Sequence, residues 1–218
     1  MNEASDSFLE PASEAEVELV EKRSRFIGIV RIVPTPVEAK EAVRASASAR
    51  PDANHHCWAY RTGVPPCEYF SDAGEPSGTA GKPILGAIQR AGTTNAVVVV
   101  TRYFGGIKLG VRGLIEAYGA SARKALEAAG TVRRVLSRVA VLEVPYEEQG
   151  NMRFFLKDLG ADVEQAHFRY GERVVMEVPV PLSLACRAEV LFDSLQARRQ
   201  LSAWRWCEPK GLETGKEA

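Results

Sequence analysis

The sequence predicts an α+β protein built as two domains, and three observations carry that prediction. One strongly apolar run, AVVVV at 96–100, lies between two glycine-rich loops, SDAGEPSGTAGKP at 71–83 and RYFGGIKLGVRG at 102–113. Apolar positions recur with period two in some segments and near 3.6 in others, so strands and helices are mixed. From about residue 131 the glycine-rich loops stop and the order becomes β-α-β-β-α-β, the split βαβ pattern of ferredoxin-like domains. A length of 218 residues fits two domains of roughly 100–200 residues each. The expected division is a loose N-terminus at 1–14, a first domain at 15–134, a ferredoxin-like domain at 135–208 and a disordered tail at 209–218.

Composition bounds the function classes. Apolar residues make up 45% and charged residues 26%, as in ordinary globular domains. No apolar run approaches the ~20 residues of a membrane-spanning helix. The start, MNEASDSFLEPASEAE, is acidic and polar, unlike a secretory or transit peptide, so a cytoplasmic protein is expected. Cys57, Cys67, Cys186 and Cys207 form no Cys-x-x-Cys pair, and buried free thiols are expected. Net charge is zero but unevenly spread. Residues 1–21 are acidic without a Lys or Arg, whereas 82–124 hold Lys82, Arg90, Arg102, Lys108, Arg112, Arg123 and Lys124 against Glu116 alone. A neutral total can therefore hide a basic face.

The elements follow in order. Val17 and Leu19, then Phe26, Gly28, Val30 and Ile32, alternate as half-buried strands do, with KRSR at 22–25 as a solvated turn between them. Thr35-Pro36-Val37-Glu38 is a helix start: Thr35 caps, Pro36 fits the first helical position, and Glu38 stands three residues after the cap. Ala39, Ala42, Val43 and Ala47 face inward, and Pro51 ends the helix. HHCWAYR at 55–61 is a strand with His55, Cys57, Ala59 and Arg61 on one face and His56, Trp58 and Tyr60 on the other. Residues 62–67 form a loop, and 68–70 a short returning strand.

Pro83 to Ala91 is a helix stopped by Gly92. Ala96 to Val100, apolar at every position, is a central strand covered on both faces, continued by Thr101 to Tyr103. Val111 to Ala129 is a long helix with Val111, Leu114, Ile115, Tyr118, Ala122, Ala125, Leu126 and Ala129 as its apolar stripe. In the second domain, strands are expected around 140–144, 166–170, 174–180 and 201–207, with helices at 146–159 and 184–195. Pro179 and Pro181 push their strand toward a sheet edge.

Four constellations can carry chemistry. PSGTAGKP (76–83) resembles a phosphate-binding loop but has Pro76 where the motif needs glycine and Pro83 where it needs Ser or Thr, so the magnesium-binding hydroxyl is missing. Ser77, Gly78, Thr79 and Lys82, leading into a helix N-terminus, still suit an anion; a tightly capped helix start is the alternative. Asp72 and Glu75 are either paired carboxylates for acid–base work or caps that complement the helix dipole. His55, His56 and Cys57 suggest a Cys–His nucleophile, but adjacent strand residues point to opposite faces, and no zinc spacing is present. In RYFGGIKLGVRG, cations beside an exposed aromatic on open backbone fit a phosphate backbone and a stacked base. Arg112 and Glu116 stand at i, i+4 and can pair on the helix surface, whereas Arg102 and Lys108 have no such local partner.

HHCWAYR, EPSGTAGKPIL (75–85) and VVVTRYFGGIKLG (98–110) together resemble the signature of the IMPACT/YigZ family. The resemblance covers about residues 15–130, and the C-terminal half is similar to the second domain of bacterial members. Ala73 stands where a second acidic residue is expected after Asp72, and Arg112 where the family usually has glycine. The resemblance implies a first domain like the second domain of a ribosomal small-subunit protein and like domain IV of elongation factor G, with a left-handed βαβ crossover. It implies a ferredoxin-like second domain like domain V of that factor. Eukaryotic relatives are linked to the kinase that senses amino-acid starvation, and the motif residues of bacterial relatives are associated with a nucleic-acid or ribosome contact surface.

The expected protein is thus a cytoplasmic, non-enzymatic binder of RNA or a ribosomal surface, with no cofactor or metal. Arg61, Lys82, Arg102, Lys108 and Arg112 are the expected nucleic-acid contacts, with Trp58 or Tyr103 stacking on bases. His55, Arg61, Ser77, Lys82, Arg102 and Lys108 are expected to converge on one cleft. Two alternatives stand beside this: a docking module for a translation-regulatory protein, and a hydrolase or transferase using Cys57 with His55 or His56, or Asp72 with Glu75.

Overall fold

The computed structural model describes residues 6–207; the first five residues and the expected tail at 209–218 lie outside them. Two compact units are present, Phe8–Arg134 and a second that begins at Val135 and takes in Ser7. Both mix helices and sheet, so the fold is α+β.

The first unit runs β1 (Ser7–Pro11), β2 (Ala15–Glu21), β3 (Ser24–Ile32), α1 (Pro36–Ser48), β4 (His55–Thr62), β5 (Cys67–Ser71), α2 (Gly81–Ala91), β6 (Ala96–Tyr103), α3 (Gly110–Ala129) and β7 (Thr131–Val135). Five strands form one sheet in the order β2-β3-β6-β4-β5, every neighbouring pair antiparallel. The all-apolar run occupies the central strand, as its pattern predicts. Alternation along β6 divides the core. Val98 and Val100 pack with Phe26, Cys57 and Ala59 against Ile84 and Ile88 of α2 and Leu114 and Tyr118 of α3. Val97 and Val99 pack with Ile27, Ile29 and Tyr60 against Ala39 of α1. Thr35 caps α1, accepting from the Glu38 N–H at 3.3 Å.

This topology fixes a point of handedness. The connection β3-α1-β4 steps two places one way across the sheet, with its helix on one face. The connection β5-α2-β6 steps two places the opposite way, starts on a strand of opposite direction, and puts its helix on the other face. Reversing all three inverts the hand, so one of the two crossovers is left-handed, against the usual right-handed rule.

In the second unit, β8 (Ser137–Val144), α4 (Gln149–Leu159), β9 (His167–Tyr170), β10 (Val174–Pro181), α5 (Ala185–Ala197) and β11 (Ala203–Trp206) give a sheet in the order β11-β8-β10-β9, antiparallel throughout. Both helices cover one face: Met152 and Leu156 join Ala188 and Phe192 over Leu142 and Met176. This is the β-α-β-β-α-β arrangement of the sequence pattern. Contrary to the expected edge placement, the proline-bearing strand β10 is interior; β9 pairs only with Val174–Glu177, so Pro179 and Pro181 lie beyond it, where no β9 carbonyl needs the N–H that proline lacks.

Three further expectations need correcting. Residues 7–11, expected to be loose, form β1 beside β7, and Leu9 O accepts the Thr94 N–H at 2.8 Å. A strand of five residues with a distant partner leaves no periodic signal. Val111 and Ile115 belong to no core stripe; they are 61% and 42% exposed on the first turns of α3. Of the four cysteines only Cys57 is buried, while Cys67, Cys186 and Cys207 lie at the surface.

Candidate functional site

The site forms where β4 begins and β6 ends, beside the start of α3. Register sets His55 directly across from Arg102, and Phe26 of β3 across from Arg102 on its other side. Arg102 therefore points into the helix-covered face rather than to solvent, and its side chain is only 8% exposed. A buried guanidinium needs an anion, and Glu75 of the first glycine-rich loop supplies it: Nη1 donates to Oε1 at 2.5 Å. The same Oε1 accepts from the Tyr118 hydroxyl of α3 at 2.8 Å. The guanidinium lies over the rings of both Phe26 and Phe104, each centroid 5.5 Å away. Burial pushes the Tyr118 hydroxyl far up from its ordinary range, with the neighbouring Cys57 and Glu75 adding to it.

Beside this cluster, His55 sets Nδ1 3.0 Å from the carbonyl of Ala73 and Nε2 4.0 Å from Glu75. A carbonyl can only accept, so Nδ1 carries the hydrogen. Behind it lies Cys57, fully buried, its Sγ donating to the carbonyl of Asp72 at 2.9 Å. Burial pushes this thiol up to about 12, with the nearby carboxylates of Glu75 and Asp72 acting in the same direction. A thiolate is the nucleophilic form, and the burial of Cys57 disfavours it. Iodoacetamide at pH 7 should label the surface Cys67 and Cys186 while Cys57 reacts only once urea has unfolded the protein. Rapid native labelling of Cys57, read by mass spectrometry, would contradict this.

The first loop has already filled its own anion site. Asp72 accepts from the N–H groups of Gly78 (2.8 Å), Ala80 (2.9 Å) and Gly81 (2.8 Å). Burial opposes its charge, but the three donors outweigh that and hold the carboxyl below its usual range. Thr79 is buried and donates to Pro76 O at 2.7 Å. The anion site expected at Ser77, Gly78, Thr79 and Lys82 is therefore occupied from within, and the capped-helix alternative holds. Asp72 and Glu75 are both committed to internal partners, so they do not form a free acid–base pair.

The second loop is pinned by its backbone. Phe104 N–H donates to Asn54 Oδ1 at 2.7 Å, and Gly105 N–H to Ser24 Oγ at 3.2 Å. Gly105 has to be glycine, because a Cβ there would stand 2.0 Å from the Arg23 carbonyl carbon. This close approach carries Phe104, Ile107 and Lys108 outward over the start of α3.

The result is an open cleft of about 450 Å³. His55 and Arg102 line it with Phe104, Lys108, Leu109 and Val111. Of the six residues expected to converge, His55, Arg102 and Lys108 do so. Arg61 sits at the far end of β4, bound to Glu68 at 2.9 Å and to Thr93 O at 2.9 Å. Ser77 and Lys82 are exposed and do not line the cleft, and Arg112 pairs with Glu116 at 2.8 Å on the helix surface. His56, Trp58 and Tyr103 lie on the other face of the sheet. His56 Nδ1 is 3.0 Å from Thr101 Oγ1, and burial holds the imidazole below its ordinary value. Tyr103 donates to Asp52 at 3.2 Å beneath Arg25. The sheet thus separates the cationic cleft from the aromatics expected to stack beside it.

Two features escaped the sequence reading. One is the Glu75–Arg102–Tyr118 cluster, of which Tyr118 gave a clue: a hydroxyl inside an Ala/Leu stripe needs a buried partner. The other is the apolar rim of Phe104, Ile107, Val111 and Ile115, which are 48%, 41%, 61% and 42% exposed.

The family model of the Impact N-terminal domain matches residues 22–126. An IMPACT family member of Thermus thermophilus is 37% identical over 158 residues, covering 72% of this chain and 86% of that protein. YvyE of Bacillus subtilis is 38% identical over 166 residues, 76% of each chain. YigZ of Escherichia coli K12 is 38% identical over 146 residues, 66% of this chain and 72% of that one. A crystal structure of a hypothetical protein is similar over 94% of this chain and 98% of its own, with a TM-score of 0.64 and 30% identity.

Proposed function

The chain belongs to the IMPACT family, and from that premise we propose that it is a non-catalytic, cytoplasmic RNA-binding protein acting in translation control. One observation carries the reading: the cleft sets apolar walls beside an exposed cation, Lys108, over about 450 Å³. Lys108 stands exposed at the rim with no ion pair among the described residues. Phe104 and Val111 offer apolar contact for a base, while Lys108 takes the phosphate and the His55 imidazole lines the wall beside them. Arg102 works from beneath. Locked on Glu75, it keeps the floor of the cleft polar and holds Phe104 by its face. Lys82, exposed outside the cleft, adds to the positive field, whereas Arg112 is compensated by Glu116.

The test uses Lys108, because changing Arg102 would disturb the fold. Binding of a fluorescein-labelled single-stranded RNA should weaken as salt rises, and Lys108→Glu should lower affinity about tenfold or more, with a salt slope smaller by about one. Equal affinity for the variant and the parent protein would reject the cleft as the RNA site.

A second reading rests on the exposed apolar rim. Phe104, Ile107, Val111 and Ile115 suit a docked protein segment, as a translation-regulatory partner would supply. A complex captured through this rim that survives nuclease treatment would favour that reading over RNA.

A further inference from the structure

The sheet face opposite the cleft carries a second surface that the cleft does not use. Trp58 and Tyr60 of β4 and Tyr69 of β5 lie together there, because period two brings Trp58 and Tyr60 to the same face and register sets Tyr69 across from Tyr60. Their centroids are 5.9 Å (Trp58–Tyr60), 5.6 Å (Trp58–Tyr69) and 6.2 Å (Tyr60–Tyr69) apart, with interplanar angles of 13°, 34° and 27°. Trp58 and Tyr60 are nearly parallel and Tyr69 is tilted against both, and none of the three meets another edge to face. Helix α1 covers β6 and β4 only in part and leaves a groove of about 460 Å³ between itself and the rings. Lys40, Val43 and Arg44 form its opposite wall.

The chemistry of this groove is one-sided. Every charged side chain lining it is a cation, and neither Lys40 nor Arg44 forms an ion pair among the described residues. They stand at i, i+4, a spacing at which like charges repel and weaken a helix. Tyr69 remains 56% exposed, although a ring of that size gains from burial. Uncompensated cations facing the exposed Tyr69 and the half-buried Trp58 match a ligand with anionic links and flat π-faces.

We infer that this groove is a stacking platform for single-stranded RNA, on which bases lie against Trp58 and Tyr69 while Lys40 and Arg44 hold the flanking phosphates. The inference rests on the RNA-binding reading and adds to it: the strand engages both faces of the sheet, the cleft on one and the platform on the other. Stacking on a ring tolerates any base, so the platform contributes affinity with little sequence preference.

The test uses the full chain and fluorescein-labelled oligouridylate. Lys40→Glu with Arg44→Glu, both on the exposed side of α1, should lower affinity about tenfold or more with the circular dichroism spectrum unchanged. In a Trp204→Phe, Trp206→Phe background, Trp58 fluorescence should be quenched saturably at the concentration where anisotropy rises. If those substitutions impair folding, the charge reversals alone decide. Unchanged affinity in the double reversal, with Lys108→Glu still weakening binding, overturns the platform and leaves the cleft. Loss in the double reversal with none in Lys108→Glu supports the platform and rejects the cleft. No binding of any RNA overturns both.

Discussion

Glu75→Gln should lower the stability of the first unit by about 3–5 kcal/mol, the usual cost of removing one partner from a buried ion pair. The size follows from the surroundings. The Arg102 side chain is 8% exposed and that of Glu75 4%. The Arg102 Nε already has no hydrogen-bond partner, and Phe26 and Phe104 cover the guanidinium. The introduced amide would keep the shape of the carboxylate, and its oxygen can still accept from Tyr118, so the variant removes charge more than packing. Left with a formal charge and no counter-charge, Arg102 must draw in water or swing outward. Pairing Glu75→Gln with Arg102→Met should recover much of the loss, because replacing both members of a buried pair by groups that pack is often near neutral. Chemical denaturation of the four proteins of this cycle gives the coupling directly. A single variant as stable as the parent would mean that the pair is solvated and the site is not built as described.

Asp72→Ala should cost on the order of 3 kcal/mol, since the N–H groups of Gly78 in the loop and of Ala80 and Gly81 at the start of α2 lose their acceptor and an unsatisfied donor costs about 1–3 kcal/mol. Water will satisfy part of the exposed loop and trim that figure. The pH dependence is the more specific signature. The folded-state carboxyl sits below its ordinary value, which is roughly 3.9 in an unfolded chain. Its stabilising contribution is therefore complete above that value and fades as pH falls through the lower, folded-state value. Stability of the parent protein measured from pH 6 down to pH 2 should fall with a component that Asp72→Asn lacks. Identical acid profiles for the two proteins would contradict the cap.

These two residues also show where the sequence was legible and where it was not. Patterns with a local cause came through. The unbroken AVVVV marked the central strand, Thr35 and Glu38 marked a cap, and alternation at 140–144 and 174–180 marked the paired strands of the second unit. The alternation in HHCWAYR assigned both faces of β4 correctly. What the sequence hid was the pairing of polar side chains across long separations. Glu75 and Arg102 are 27 residues apart and Glu75 and Tyr118 are 43. Arg102 therefore read as a free cation although the fold buries it. The same holds for the first glycine-rich loop, whose donors look ready for a phosphate until the carboxylate of Asp72 folds back on them. Val111 and Ile115 misled in the other direction: they keep the helical period of the core stripe, yet they stay exposed on the same turns whose Leu114 is buried.

The central claim is that the cleft under the second loop receives an RNA base against Phe104. Photo-crosslinking with a 4-thiouridine-substituted single-stranded RNA, followed by trypsin and mass spectrometry, tests it most directly. Cleavage after Arg102 and Lys108 isolates residues 103–108, which hold Phe104. In Lys108→Glu the corresponding peptide runs on to Arg112. Nucleotide adducts on the Phe104 peptide, reduced by high salt and fewer in Lys108→Glu, are the predicted result. Adducts confined to other parts of the chain, or none on 103–108 at saturating RNA, would contradict it.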